Sequence, residues 1–538
     1  MKKRFKYSIL SALFITLFTS CHDINVPVTT ELTPDVFPTD SVQFVASAGS
    51  VYAALRGNFS LDYFFMQTLS TDEAILPARG GNWYDNQNYL MLHYHSWTKD
   101  HPWTNSCWNW LARIIGYDNQ QLSILGTNMP AGNFKNRMLA ELRTVRALAY
   151  FFMMDLYGNV PIVITYGDFT AQPKSDRIAV FNFIESELKD CIPYLSTTVS
   201  TQTYGYPTQY MAYTLLAKMY LNAAYYTGTA RYDDCIAACD KVISSGKYTL
   251  ATTSNYLQMF YPTNGPSTPE FIFAIPYNPS YSVLSGTNGY MYHARYDVPR
   301  SEAKKFSLPF TPSSAESTLP EFYAYFNDAN DVRNGQWLTG LQYMNDGVTP
   351  IMVTTTNIGY NQFYSGSDPK GTYTYQVNLT PNIILRQSTT TFDCGNDEIA
   401  WNMGYRNIKF YPDATSTSRN QNNDVPVFRY SDIILMKAEA ILRGGTATSG
   451  ATALSLVNTL RANRTTSAAW TSVSLDDIYS ERCREFAMET WHRNDMIRFG
   501  KYEGAWGFKT NTDTYRRIFP IPSGAMTLNP KLTQNPGY

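Results

Sequence analysis

Residues 79–110, RGGNWYDNQNYLMLHYHSWTKDHPWTNSCWNW, hold five of the chain's ten tryptophans, interleaved with Asn, Asp, Gln, Gly and Pro. A hydrophobic core has use for the rings but little for the amides beside them. A ligand with an apolar face and a hydroxyl-bearing edge, such as a sugar ring, uses both. An exposed Trp or Tyr stacks on the face, removing apolar area from water at about 25 cal/mol per Å². Asn, Asp and Arg groups hydrogen-bond the edge. Trp83, Tyr84, Asp85 and Asn82 supply stack and edge within four residues, and Gly80 and Gly81 permit the tight turn that converges them. Asp72 and Arg79 flank them, and these six are the candidate carbohydrate contacts. Trp108 and Trp110 open a helical pattern and are assigned to core, whereas Trp97 and Trp103 fit either role.

Other chemistry is weaker. His93, His95 and His101 share this stretch, and HYH in an extended strand would put two rings on one face. No third and fourth ligand follows at metal spacing, so structural histidines and no metal are expected. NDANDVRNG (327–335) lacks the Gly and closing Glu of a calcium loop and reads as a turn around Asp331 and Arg333. A glycosidase needs two carboxylates about 5–10 Å apart across a cleft. Glu141, Glu439, Glu485 and Glu489 instead sit in helical patterns beside Arg or apolar neighbours, where ion pairs account for them. No GxSxG, HExxH or phosphate loop occurs, so neither an enzyme nor a cofactor is expected.

The whole chain sets the frame for these residues. Its 538 residues carry a net charge of -1, with 16% charged and 15% aromatic residues and 41 tyrosines. That balance gives no field for nucleic acid and too little charge for disorder. A Tyr-rich, charge-poor globular protein suits neutral polar ligands. MKKRFKY followed by SILSALFITLF is a basic then apolar leader too short to span a bilayer, hence a secretory signal. TSC places small residues before Cys21 and resembles a bacterial lipoprotein signal, with Cys21 lipidated. An ordinary signal peptide with an incidental cysteine is the alternative. Cys107, Cys191, Cys235, Cys239, Cys394 and Cys483 form no CxxC pair and read as small buried residues, with a disulfide the other option.

Helical periodicity predicts helices over 41–58, 108–125, 134–158, 180–195, 207–228, 231–248, 427–445, 451–464 and 475–491. The first eight make four consecutive pairs. Ala217, Ala224 and Ala237 would allow close approach, although no strict repeat period holds. Residues 250–425 are rich in Thr, Tyr, Asn, Gly and Pro and read as an irregular insert, with EFIFAIPY and PNIILRQ as short strands.

ELRTVRALAYFFMMDLYGNVPIV, EFYAYFNDANDVRNGQWLTGLQ, VPVFRYSDIILMKAEAILR, ERCREFAMETWHRNDMIRFGKY and the terminal RRIFPIPSGAMTLNPKLTQNPGY resemble, in order, blocks of the SusD/RagB family of outer-membrane lipoproteins. STDEAILPARGGNWYDNQ looks like a further family block. The resemblance implies a mainly α fold: four tetratricopeptide-type helix pairs as scaffold and a large loop-rich insert with short strands. It implies 1–20 as signal peptide, 21–40 as tether, 41–249 and 426–538 as scaffold, and 250–425 as an insert on the ligand face. Tyr290, Tyr292, Arg295 or Trp337 could add a second wall there. It also implies a surface protein that binds a glycan and serves a SusC-like TonB-dependent transporter, anchored by lipid to the outer membrane and facing outward. The RagB side of the family implies a peptide-capturing module as the alternative.

Changing Cys21→Ala is expected to leave a folded protein that no longer sediments with outer membrane, because stable anchoring takes the lipid chains that Cys21 would carry. Retention of the variant in membranes after detergent-free high-salt washes would show another anchor.

Overall fold

The computed structural model describes residues 37–277, 297–355, 373–386, 391–416 and 421–538. The signal peptide, Cys21, most of the tether, Tyr290, Tyr292 and Arg295 lie outside the described residues. Within the first 47 residues, Asp40 caps a helix: its carboxylate accepts the Val42 and Gln43 N–H groups, both at 2.9 Å. Residues 48–538 form the second unit. No described helix is long and apolar enough to cross a membrane.

The nine predicted helices are present, all but the first with shifted ends: α1 (Ser41–Asn58), α2 (Pro102–Asn128), α3 (Asn133–Tyr157), α4 (Arg177–Cys191), α5 (Gln209–Leu221), α6 (Tyr232–Ile243), α7 (Tyr430–Leu442), α8 (Ala453–Arg461) and α9 (Leu475–Phe486); α10 (His492–Arg498) follows where none was predicted. Pro102 starts α2, where its missing N–H costs nothing. Gly158, at φ +74°, ends α3. Side-chain caps open four more: Asp176 on α4, Thr208 on α5, and capping boxes from Thr452 and Ser474 on α8 and α9. The last fourteen residues of α3 are all buried, which makes it the central helix.

α2 packs on α3, α3 on α4, α5 on α6 and α7 on α8. α6 also packs on α7, so the helical stack continues across the insert. α1 meets α2 through Trp110, whose indole N–H donates to Ala54 O at 2.8 Å. The fold is mainly α, as its sequence pattern implies.

Three local readings need correction. Ala217 is buried, but Ala224 and Ala237 are exposed, and their neighbours Ala223 and Ala238 face inward. Asn222, at ψ 2°, breaks the helix before Ala223 and shifts its phase. In α6 the buried face follows Cys235, Ala238, Cys239 and Val242. Residues 425–429 form a strand rather than the start of a helix. α9 stops at Phe486, because the Glu485 and Ala487 carbonyls accept the Lys409 ammonium at 2.7 and 3.2 Å instead of continuing the ladder.

The insert carries β1 (Phe271–Ile275), β2 (Trp337–Leu338), β3 (Gly340–Leu341), β4 (Met352–Thr355), β5 (Tyr373–Gln376), β6 (Asn378–Leu379) and β7 (Arg406–Asn407), with β8 (Val425–Arg429) at its end. The described strands form two-stranded antiparallel ladders: β1 with β8, β2 with β7, β3 with β6 and β4 with β5. β1 confirms EFIFAIPY as a strand, whereas residues 381–386 are irregular. Side chains of Val298, Leu338, Val377 and Leu379 form the insert's own small core.

Ala217→Leu is expected to overpack the α5–α6 contact and cost about 1–3 kcal/mol. Ala237→Leu, on the solvent face, should stay within about 0.5 kcal/mol. Denaturant unfolding of both variants measures the contrast, and equal losses would contradict the observed phase of α6.

Candidate functional site

The chain after Asp72 is threaded through the insert before it reaches the surface. Ile75 exchanges backbone hydrogen bonds with Ser317 at 2.8 and 2.9 Å. Ala78 does the same with Phe392 and Cys394, also at 2.8 and 2.9 Å. Beyond that bridge the Asp393 carboxylate accepts three backbone N–H groups: Gly80 at 2.9 Å, Gly81 at 2.9 Å and Gly395 at 2.8 Å. A carboxylate with several N–H donors is a strong local clamp. Gly80 lies so close to the insert that a Cβ would sit 2.3 Å from Asn396 Cβ, at φ +62°. The RGG turn is therefore held by a residue more than 300 positions away.

Past the clamp the backbone is strained. Trp83, Asp85, Asn86 and Gln87 all have positive φ, at 66°, 40°, 52° and 65°. Asn and Asp tolerate that region, but a bulky Trp there is a true outlier. Strain of this kind persists only where surrounding contacts over-determine it, and it clusters at functional sites. Arg79 and Asn82 close the turn with paired backbone bonds, and Gln87 Nε2 donates to the Tyr84 hydroxyl at 3.0 Å. The result is a small exposed crown. Asn82, Tyr84, Asp85 and Asn86 face solvent, Tyr84 at 44% exposure, and Trp83 is half-buried beside them. Trp83, Tyr84, Gln87 and Leu90 line a shallow groove with Thr391 and Phe392 of the insert.

The six candidates thus divide. Asn82, Trp83, Tyr84 and Asp85 come together at the surface. Arg79 does not join them: it is fully buried, and its guanidinium donates to Ala400 O, to Ser317 Oγ at 3.1 Å and to Met403 O at 3.2 Å. Asp72 is also buried, and its Oδ1 accepts from His492 Nε2 at 2.5 Å. Both residues hold the loop's base rather than face a ligand. Trp337 is buried against Phe322, Tyr323 and Phe326 and adds no second wall. Trp97, Trp108 and Trp110 are core, and Trp103 packs on Phe65 and Tyr89.

The histidines are inside as well, and HYH is not a strand: His93 ends a short helix and His95 has φ +52°. His95 packs between Trp97 and Tyr502 and donates to Ser70 O at 2.8 Å. Burial, then nearby Lys509, pushes His93 down to about 3, and burial pushes His101 down to about 4. Among the described residues no group of three His, Cys, Asp or Glu could hold a metal ion. The six described cysteines are buried free thiols. Glu141 pairs with Arg137, Glu439 with Arg443 and Arg498, and Glu485 and Glu489 with the buried arginines described below. Asp393 and the insert contacts at Phe392 and Asn396 were not legible beforehand, since nothing local in FDCGND points to residues 78–81.

Comparison with known proteins agrees with this architecture. The family model described as "SusD family" matches residues 214–538, and one described as "Starch-binding associating with outer membrane" matches 40–221. The starch-binding protein SusD of Bacteroides thetaiotaomicron is 25% identical over 512 residues, spanning 88% of this chain and 85% of that protein. A laminarin-binding SusD-like protein superposes with a TM-score of 0.72 at 21% identity, over 93% of this chain and 100% of the other. Surface glycan-binding protein A from Bacteroides thetaiotaomicron, solved with laminarihexaose, gives 0.69 at 17% identity over 92% and 99%.

The Asp72–His492 pair sets a pH dependence. Burial alone would lower the His492 pKa, but the Asp72 carboxylate, then Cys483, hold it well above the ordinary imidazole value. A raised folded-state pKa means the pair's stabilisation is complete below about 6.5, the unfolded value, and is lost as pH rises through the folded value. The stability gap between the wild-type protein and Asp72→Asn should therefore be widest in mild acid and narrow in alkali. Unfolding measured across that range tests it, and a gap that widens with pH would contradict the assignment.

Proposed function

The chain belongs to the SusD family, and from that premise we propose that it is a cell-surface glycan-binding lipoprotein that captures an oligo- or polysaccharide on the crown at residues 80–88. Trp83 and Tyr84 offer ring faces to the sugar's C–H face, while Asn82 and Asp85 bond its hydroxyl edge. Asp72 and Arg79 act one layer below, as supports. The observation that carries this reading is the clamped, strained turn: Asp393 fixes the glycine backbone, and the turn spends conformational energy to hold amides and rings outward together. A preformed site of that kind spares the ordering cost on binding.

The relatives support the ligand class. Those named above for a ligand are named for starch, laminarin or laminarihexaose, which are neutral glucans, and no observation favours the peptide-capturing alternative. The role is binding rather than catalysis, since the carboxylates of the helical motifs are consumed in ion pairs and the crown carries a lone acid, Asp85. The captured glycan passes to a SusC-like TonB-dependent transporter in the outer membrane, to which Cys21 tethers the chain on the outer face.

Trp83→Ala and Tyr84→Ala should each weaken binding about ten- to a hundredfold, roughly 1–3 kcal/mol, with little change in melting temperature. Trp110→Ala, which empties a core site, should instead cost about 3–5 kcal/mol of stability. Calorimetric titration with laminarihexaose and maltohexaose, beside thermal unfolding, separates the two. Unchanged affinity in a folded double variant would remove the crown as the site.

A further inference from the structure

A second recess lies on the far side of the insert's first strand. Among the described residues β1 has one ladder partner, β8, and no β8 residue lines the recess. Residues 199–206 pass β1 there, and Gly205 lies close to it: at φ +76°, a Cβ would sit 4.0 Å from Ala274 O and 3.1 Å from Cγ of Pro276, the residue after the strand. A cavity of about 300 Å³ opens on one side of this passage and one of about 220 Å³ on the other. They share Tyr204, Gly205, Phe273 and Ala274 as a common sill.

The lining has a definite chemistry. In the larger cavity, Tyr52 and Tyr206 meet edge to face, with centroids 4.8 Å apart and planes at 72°, so their rings form a corner. Tyr204 is the third ring and is fixed in place: its hydroxyl donates to Asp424 Oδ2 at 2.6 Å, and Asp424 Oδ1 accepts the Tyr277 N–H at 2.9 Å. Arg56 and Thr201 complete the wall over Leu55 and Ile275. The smaller cavity presents Ser200, Thr203, Thr208 and Tyr248. Among the described residues no carboxylate lines either one, and each holds a single basic residue, Arg56 or Lys247. Rings set at an angle, many hydroxyls and little charge suit a small polyol with apolar ring faces. An extended peptide pairing with β1 would need the space that Gly205 occupies. The larger volume sits at the lower edge of the roughly 300–1,000 Å³ usual for small-ligand sites and the smaller falls below it, which limits the occupant to one or two rings.

We propose that this paired cavity beside β1 is a second binding site, separate from the crown, for a neutral saccharide of one or two rings. It would hold a chain end or a short product while the crown grips a longer chain. The inference rests on the glycan-binding reading above. None of its lining residues belongs to the crown, its clamp or the adjoining groove.

Soaking crystals of the mature protein in maltose and in laminaribiose should show a disaccharide against Tyr206 and Tyr52. In solution, titration with the same sugars should show a binding event that Tyr206→Ala weakens at least tenfold and Tyr206→Phe preserves. Thr201→Trp, at an exposed position, should plug the larger cavity with no change in melting temperature and remove the same event. The crown variant Tyr84→Ala should leave it intact. Disaccharide bound at the crown alone, or binding at the cavity at crystal concentration only, overturns this inference and leaves the glycan reading standing. Binding at neither place also overturns it, and the glycan reading is then decided by the hexaose titration of the crown.

Discussion

Glu485 is fully buried on α9, and three guanidinium groups converge on its carboxylate. Arg464 donates at 2.9 and 3.0 Å, Arg429 at 2.9 Å and Arg333 at 3.1 Å. Burial alone would raise its pKa, but Arg464, Arg429 and Arg333 hold it well below the usual carboxylate range. Its carbonyl oxygen takes a further bond from Lys409 at 2.7 Å. Glu270, Glu489, Glu481 and Asp331 balance the same cations. Arg333, Lys409 and Glu270 come from the insert, Arg429 from the strand that closes it, and Arg464 and Glu485 from the helical scaffold. Buried ion pairs are weak sources of net stability, because desolvation offsets attraction. They are strong sources of register, since removing one member strands the others. This network fixes how the irregular insert sits on the helices.

The crown depends on that registration. Asp393 can clamp Gly80 and Gly81 only if the insert stands where the network places it. The strain at Trp83 and Gln87 then has a source: α-helical packing below, the Ile75–Ser317 and Ala78–Asp393 bridges beside it, and the carboxylate clamp at the turn. Arg79 belongs to the same logic. Its side chain runs inward to Ala400 O, Ser317 Oγ and Met403 O, and Arg406 donates to the same Ser317 and Met403 oxygens. Arg79 thus stitches the loop to the insert through two carbonyls and the Ser317 hydroxyl, and Arg406 holds two of the same acceptors in place. A charge that reads as a ligand contact in sequence is used as a fastener.

A similar substitution of role explains the Cys483–His492–Asp72 line. His492 Nδ1 lies 3.9 Å from Cys483 Sγ and its Nε2 bonds Asp72, an order that on paper resembles a nucleophile, base and orienting acid. The thiol is buried and burial raises its pKa, while His492 is enclosed by Phe322 and Tyr479. A reactive cysteine needs an accessible thiolate. The line therefore serves to hold the base of the 72–80 segment against α9 and α10.

The sequence by itself determined the helices, because period, caps and breakers act within a few residues: Pro102, Gly158, Thr452 and Ser474 each do their work locally. It also determined the composition of the crown, since rings and amides packed into residues 82–86 have no economical use in a core. Which side of a residue faces solvent was decided elsewhere. Ala237 and Ala238 differ by one position, and only the packing of α6 on α5 and α7 chooses between them. Arg79 and Asp72 sit within reach of the crown in sequence yet turn inward, because buried carbonyls and His492 offer them better partners than water. The clamp, the charge network and the cavity beside β1 all join residues more than a hundred positions apart. Such contacts form only when the chain returns to itself, and a hydrogen bond leaves no periodic trace in sequence for either partner to announce the other.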